Sequence, residues 1–173
     1  MRLSKGQYFG RTEYAINVNG IILTRTEYKG SEQIPKHLHS NPYFCYVLKG
    51  SYLENFNAKQ FECNKGDIIF HTADSEHSNQ FYNCPSVCFN LEMEKQWLEK
   101  ISYPLFSRTE YKNNDEATGL LFNKVLYEAA MYDELSPLMI ESLTIEALVR
   151  LERKAEYGSV PKYIKTVKDY IND

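Results

Sequence analysis

The chain of 173 residues has no apolar run approaching the ~18 residues of a membrane-spanning helix, and its opening stretch, M-R-L-S-K-G-Q-Y-F-G, lacks the apolar core of a secretory signal. A cytoplasmic protein with no membrane partner is expected. Positive charge is not in excess: 20 Lys and Arg stand against 23 Asp and Glu, for a net charge of −3. Binding to nucleic acid or anionic lipid by bulk charge is therefore not expected. Cysteine is sparse. Cys45, Cys63, Cys84 and Cys88 read as reduced thiols in the absence of a signal, and the Cys84-P-S-V-Cys88 spacing lacks the second pair that completes a zinc site. There is no glycine-rich phosphate loop and no glycine-flanked serine elbow, and Cys45 falls in an apolar strand pattern where a thiol is inert. No nucleophilic chemistry is indicated, so the chain is expected not to be an enzyme and to need no cofactor.

Aromatic residues are what the chain has in plenty, with 14 Tyr and 9 Phe beside the single Trp97. That supply suits a β-rich core whose inner surface is partly polar. Alternation over 13–28 on both sides of Asn19-Gly20 predicts a hairpin with a two-residue turn. A strand carrying His37 and His39 follows, then an apolar strand from Tyr43 to Leu48 closed by Lys49-Gly50. Short runs S-Y-L-E-N-F, F-E-C-N-K-G and D-I-I-F-H-T come next, a polar bend covers Thr72 to Ser78, and extended runs occupy 79–82 and 87–91. Strands this short and evenly spaced predict an antiparallel sandwich or barrel. From Glu94 the period changes to about 3.6. A short helix is expected near 96–101, an irregular connection over 103–111, and a helix after Asp115-Glu116 with Leu121, Val125, Ala129 and Tyr132 on one stripe. Ser136-Pro137 starts another, with Ile140, Leu143, Ala147 and Leu151 in phase, and its short link to the preceding helix predicts an antiparallel pair. Pro161 opens a last short helix bearing Lys162, Lys165 and Lys168.

His37 and His39, two positions apart on an extended segment, point to the same side. With the strand after them, Gly50, Gly66-Asp67 and the late His77, they resemble the two signature segments of the cupins. The order of a jelly roll, a leucine-rich helix pair, a polar linker and a P-K-x-x-K-x-V-K-x-Y-I segment is similar to AraC-family transcription regulators. The resemblance implies an α+β chain: a cupin-like antiparallel β jelly roll with an N-terminal arm over 1–93, a helical dimerisation region over 94–157, and a linker with the start of a DNA-binding domain over 158–173. The helix-turn-helix itself is expected to be missing from this chain, so DNA would be met only through a part that is not here.

Cupin enzymes of this resemblance hold a metal with residues matching His37, His39, position 43 and His77. Position 43 is Tyr43 rather than glutamate, so no metal is expected; if one were present, His37, His39 and His77 would hold it. His71 reads as structural, and Glu92 and Glu94 as solvated charge. A small polar effector, sugars among the candidates, is expected near His37, His39 and His77, with Arg25, Tyr43 and Tyr46 on nearby strands and Tyr8 or Phe9 of the arm over the mouth. Leu138, Ile145 and Leu148 exceed what one helix stripe needs and are expected to form a homodimer contact. Two rival readings are a metal-dependent cupin enzyme acting on a small molecule and a stand-alone small-molecule-binding cupin.

Overall fold

The computed structural model describes residues 1–56, 59–101 and 111–157. The expected connection over 103–111, all but its last residue, and the helix from Pro161 with its lysines lie outside the described residues. Two compact units are present, Met1–Gly119 and Leu120–Asp173.

The first unit is built on two sheets. Strands β1 (Arg2–Leu3), β2 (Arg11–Val18), β3 (Ile21–Tyr28), β4 (Gln33–His39), β5 (Tyr43–Lys49), β6 (Ser51–Phe56), β7 (Lys59–Asn64), β8 (Ile68–His71), β9 (His77–Phe81), β10 (Ser86–Met93) and β11 (Tyr111–Asn113) are divided between them. One sheet has the order β1-β4-β9-β6-β7 and the other β11-β8-β5-β10-β3-β2. All pairings are antiparallel except β1 with β4. This is a double-sheet jelly roll, as the alternating pattern predicts. Asn19 and Gly20 both take positive φ, 52° and 98°, which is the twist that lets a two-residue turn join β2 and β3.

Period-two alternation decides what enters the barrel. Tyr43, Cys45 and Val47 of β5 point into an inner cluster with Tyr28, Ile34, Tyr52, Ile69 and Phe81, and Tyr28 stacks on Phe81 at 4.2 Å. One irregularity matters for the site. In β4 four residues, Ile34 to His37, oppose three in β9, Asn79 to His77, so a bulge at Pro35-Lys36 inserts one residue.

Two elements have no counterpart in the sequence reading: β1, the first residues of the arm, and β11, which adds an edge strand beside β8. The bend after Thr72 also ends earlier than expected, because His77 and Ser78 already belong to β9. Helix α1 (Lys95–Lys100) closes the run of strands. Helix α2 (Glu116–Ala130) begins where Asp115 accepts the Thr118 N–H at 2.9 Å, an N-terminal cap formed by the acidic residue expected there.

In the second unit, α3 (Ser136–Tyr157) follows a connection of 131–135, and its Ser136 hydroxyl donates to Glu128 of α2 at 3.0 Å. Leu121, Phe122, Val125 and Ala129 are buried on α2; Tyr132 is exposed beyond its end and does not join the stripe. On α3, Ile140, Leu143, Ala147 and Leu151 are buried as expected. Leu148 is fully buried with them, so it cannot belong to an exposed contact face, whereas Leu138 and Ile145 are exposed. The reason is angular: Leu148 sits four residues after the buried Thr144 and one after Ala147, inside a stripe wider than the one assumed.

Candidate functional site

Five polar side chains from four strands converge inside the barrel. His37 and His39 come from β4, His77 from β9, His71 from β8 and Glu54 from β6, and all are buried. Ring centroids of His77 lie 4.2 Å from His37 and 4.6 Å from His71. Tyr43 of β5 stacks on His71 at 4.4 Å, its register partner across the sheet. One ligand atom from each of His37, His39 and His77 falls within 4.8 Å of the others, and the same holds for Glu54, His71 and His77.

Backbone carbonyls set the tautomers. The Pro35 carbonyl faces His37 Nδ1 at 2.8 Å and the Ser75 carbonyl faces His77 Nδ1 at 3.2 Å. A carbonyl only accepts, so each Nδ1 carries the proton and each Nε2 offers a lone pair. At His77 that lone pair accepts the Tyr43 hydroxyl at 3.1 Å. His39 differs, since neither ring nitrogen meets a hydrogen-bond partner among the described residues although the side chain is 2% exposed.

Burial keeps these imidazoles neutral, which is their ligating form. Desolvation, followed by the neighbouring histidines, lowers His39 to about 3, and desolvation with His37 lowers His77 to about 3. His71 is driven well below the ordinary range and His37 is lowered, both chiefly by burial. The same burial raises the Tyr43 phenol well above its usual value.

The arm covers the cluster. Tyr8 packs on His39 at 4.9 Å and Phe9 meets His37 edge-on at 5.0 Å. Its latch is Glu92 of β10, which is 1% exposed. Glu92 accepts from the Gly6 N–H at 2.9 Å, the Tyr8 hydroxyl at 3.4 Å and the Asn41 amide at 2.8 Å, and burial raises its carboxyl above the ordinary range despite these bonds. Between arm and cluster remains a cavity of about 20 Å³, lined by His37, His71, His77, Tyr43 and Glu54 among others.

Of the residues expected at the site, His37, His39, His77, Tyr43, Tyr8 and Phe9 are brought together. Arg25 and Tyr46 are not. Arg25 lies between Thr24 and Thr26, whose hydroxyls meet Asn90 inside, so alternation turns it outward onto Glu13. Tyr46 is likewise out of phase with the cavity-lining Tyr43 and Cys45. Glu92 is not solvated charge but the buried anchor of the arm, and His71 is a member of the cluster rather than a bystander. Glu54 was missed, although it lies between Tyr52 and Phe56 at period two and shares their buried face.

The ligand set that the cupin resemblance implies does not fit these residues. Its three imidazoles are close enough, but the anionic member at position 43 is a phenol that burial holds protonated and that already serves His77.

No family model and no curated protein matches the sequence. Solved structures do match the fold. Apo ToxT K231A from Vibrio cholerae strain SCE256 aligns with a TM-score of 0.65 at 11% identity, over 84% of this chain and 60% of that one. The chain thus spans somewhat less than two thirds of ToxT. A cupin superfamily protein from Desulfitobacterium hafniense DCB-2 aligns with a TM-score of 0.42 at 9% identity, over 51% of this chain and 84% of that one. DMSP lyase DddQ from Ruegeria pomeroyi DSS-3 aligns with a TM-score of 0.42 at 14% identity, over 54% and 43%. These identities carry the fold, which is cupin-like, and nothing of activity. The expectation that the chain is not an enzyme does not stand: a protein named as a lyase is among the fold matches, so the fold gives no ground for excluding catalysis.

Proposed function

We propose that this chain is the effector-sensing part of an AraC-like transcription regulator, in which a small polar molecule is received at the histidine cluster and the arm over residues 1–10 reports its arrival. The observation that carries this reading is the seating of Tyr8 and Phe9 on the rings of His39 and His37. With the arm in place the interior leaves about 20 Å³, enough for a water-sized occupant and far too little for a sugar. An organic effector reaches the imidazoles only by displacing those two aromatic rings. Binding and arm release are then one equilibrium, shifted by the effector's preference for the open state. The layout that resembles AraC-family regulators supports this, as does a fold likeness covering more of the chain than the barrel unit alone. In this reading two copies meet through α3 at the exposed Leu138 and Ile145, and DNA is contacted by a domain outside this chain.

A metabolite library screened by thermal shift, followed by hydrogen exchange on each hit, tests it. Hits should speed exchange at residues 1–10 and be lost in His39→Phe. Hits that leave the arm as protected as before would overturn the coupling.

A further inference from the structure

The observation behind the effector reading concerns the imidazoles of β4 and the arm, and it gives no role to the group that Glu54 and His71 form with His77. We infer that these three residues hold a divalent first-row transition-metal ion, with Glu54 supplying the anionic ligand that position 43 lacks. The inference goes beyond the effector reading and does not depend on it.

The three donors arrive from three strands. Glu54 pairs with Asn79 and Phe56 with His77, so Glu54 and His77 are diagonal neighbours on one face of adjacent strands, while His71 enters from the opposite sheet. All are at most 2% exposed, and one donor atom from each lies within 4.8 Å of the others. A tetrahedral shell of about 2.1 Å sets its donors about 3.4 Å apart, so the side chains need only close in around the ion. The cavity beside them, about 20 Å³, suits an ion with a water and not a molecule. Two imidazoles and one carboxylate form the donor set that suits zinc, iron(II) or manganese. A divalent ion also offsets the desolvation of a carboxyl group placed among aromatic walls. Outer contacts already orient the ligands: the Asn79 amide donates to Glu54 at 2.7 Å, and the Ser75 carbonyl fixes His77 Nδ1 so that Nε2 faces inward.

Tyr43 gives the inference a distinctive sign. Its hydroxyl now occupies the His77 Nε2 lone pair, so it competes with an ion there. If position 43 were a ligand, as in the cupin set, removing its oxygen would weaken binding. In the Glu54 set the same change strengthens it.

The full chain, stripped with chelator at neutral pH, is titrated with Zn²⁺ and with Co²⁺, whose visible absorption reports coordination. One equivalent should bind. Glu54→Gln and His71→Gln should weaken affinity by at least about a hundredfold, beyond what outer-shell changes cost, while His39→Phe stays within about threefold of wild type. Tyr43→Phe should tighten binding about tenfold, the worth of one hydrogen bond. X-ray absorption on the Zn²⁺-loaded wild type counts imidazoles without any variant, so a mutant that fails to fold leaves the decision intact. Two imidazoles support the site. Three imidazoles, affinity lost in His39→Phe but kept in Glu54→Gln, or no binding tighter than about 100 μM would overturn it.

Discussion

Acid should unfold this protein through its histidines, and the size of the effect follows from their burial. A histidine in an unfolded chain titrates near about 6.5. In the folded barrel His39 and His77 are lowered to about 3, so the native state binds fewer protons than the unfolded chain across that window. Their contribution is therefore fully present above the unfolded value and is lost as pH falls toward the folded one. The slope is about 1.4 kcal/mol per pH unit for each proton, so lowering the pH from about 6.5 to about 5 removes about 2 kcal/mol per histidine and about 4 for the pair. His37 and His71 are displaced in the same direction by burial and add to the loss. Glu92 acts oppositely. Its folded value is raised, so its contribution is present below the unfolded carboxyl value and lost as pH rises, and it offsets no more than one proton in acid. Against a typical domain stability of about 5–15 kcal/mol, the histidine loss is decisive. Urea unfolding with chelator present, from about pH 7.5 to about pH 5, measures it, and the slope below about pH 6 should correspond to at least two protons. His39→Phe should reduce that slope by about one proton. A stability constant to within about 1 kcal/mol over this range would refute the assignment of neutral, buried imidazoles.

Replacing Glu92 with leucine should release the arm, because three hydrogen bonds lose their acceptor; a loss of about 1–3 kcal/mol and faster proteolysis within residues 1–10 are expected. Tyr43→Phe leaves the His77 Nε2 without its donor, and thermal unfolding should report a cost of about 1–3 kcal/mol in metal-free protein. Leu148→Ala should cost about 2–5 kcal/mol as a core truncation. Leu138→Ala and Ile145→Ala, at exposed positions, should change chemical stability by less than about 0.5 kcal/mol while weakening self-association in sedimentation.

Much of the barrel was legible in the sequence because its strands alternate cleanly and its first hairpin carries Asn19-Gly20. The edge strands were not: β1 offers two residues and β11 three, too few for a period to show. The histidines of β4 and β9 could be read because the cupin-like spacing marks them. Glu54 and His71 could have been found from parity alone, Glu54 sharing a face with Tyr52 and Phe56, and His71 with Ile69. Glu92 could not. Its partner Gly6 lies 86 positions away, and nothing local distinguishes a buried acceptor from a solvated charge. Arg25 and Tyr46 were misplaced for want of a register, because each sits one residue from the positions that face inward.

The bulge at Pro35-Lys36 makes the site a matter of odd and even. Ile34 and His37 both line the cavity although they lie three positions apart, and an uninterrupted strand cannot put such a pair on one side. One extra residue reverses the phase of everything after it in β4. Removing Lys36 alone would restore the regular ladder with Ile34 and His37 two positions apart, so both imidazoles would keep their inward face. The bulge thus absorbs an odd residue: the same strand drawn into a regular ladder with Lys36 retained would face both imidazoles outward and Leu38 inward, whereas a chain lacking Lys36 would hold the imidazoles inside with no bulge at all.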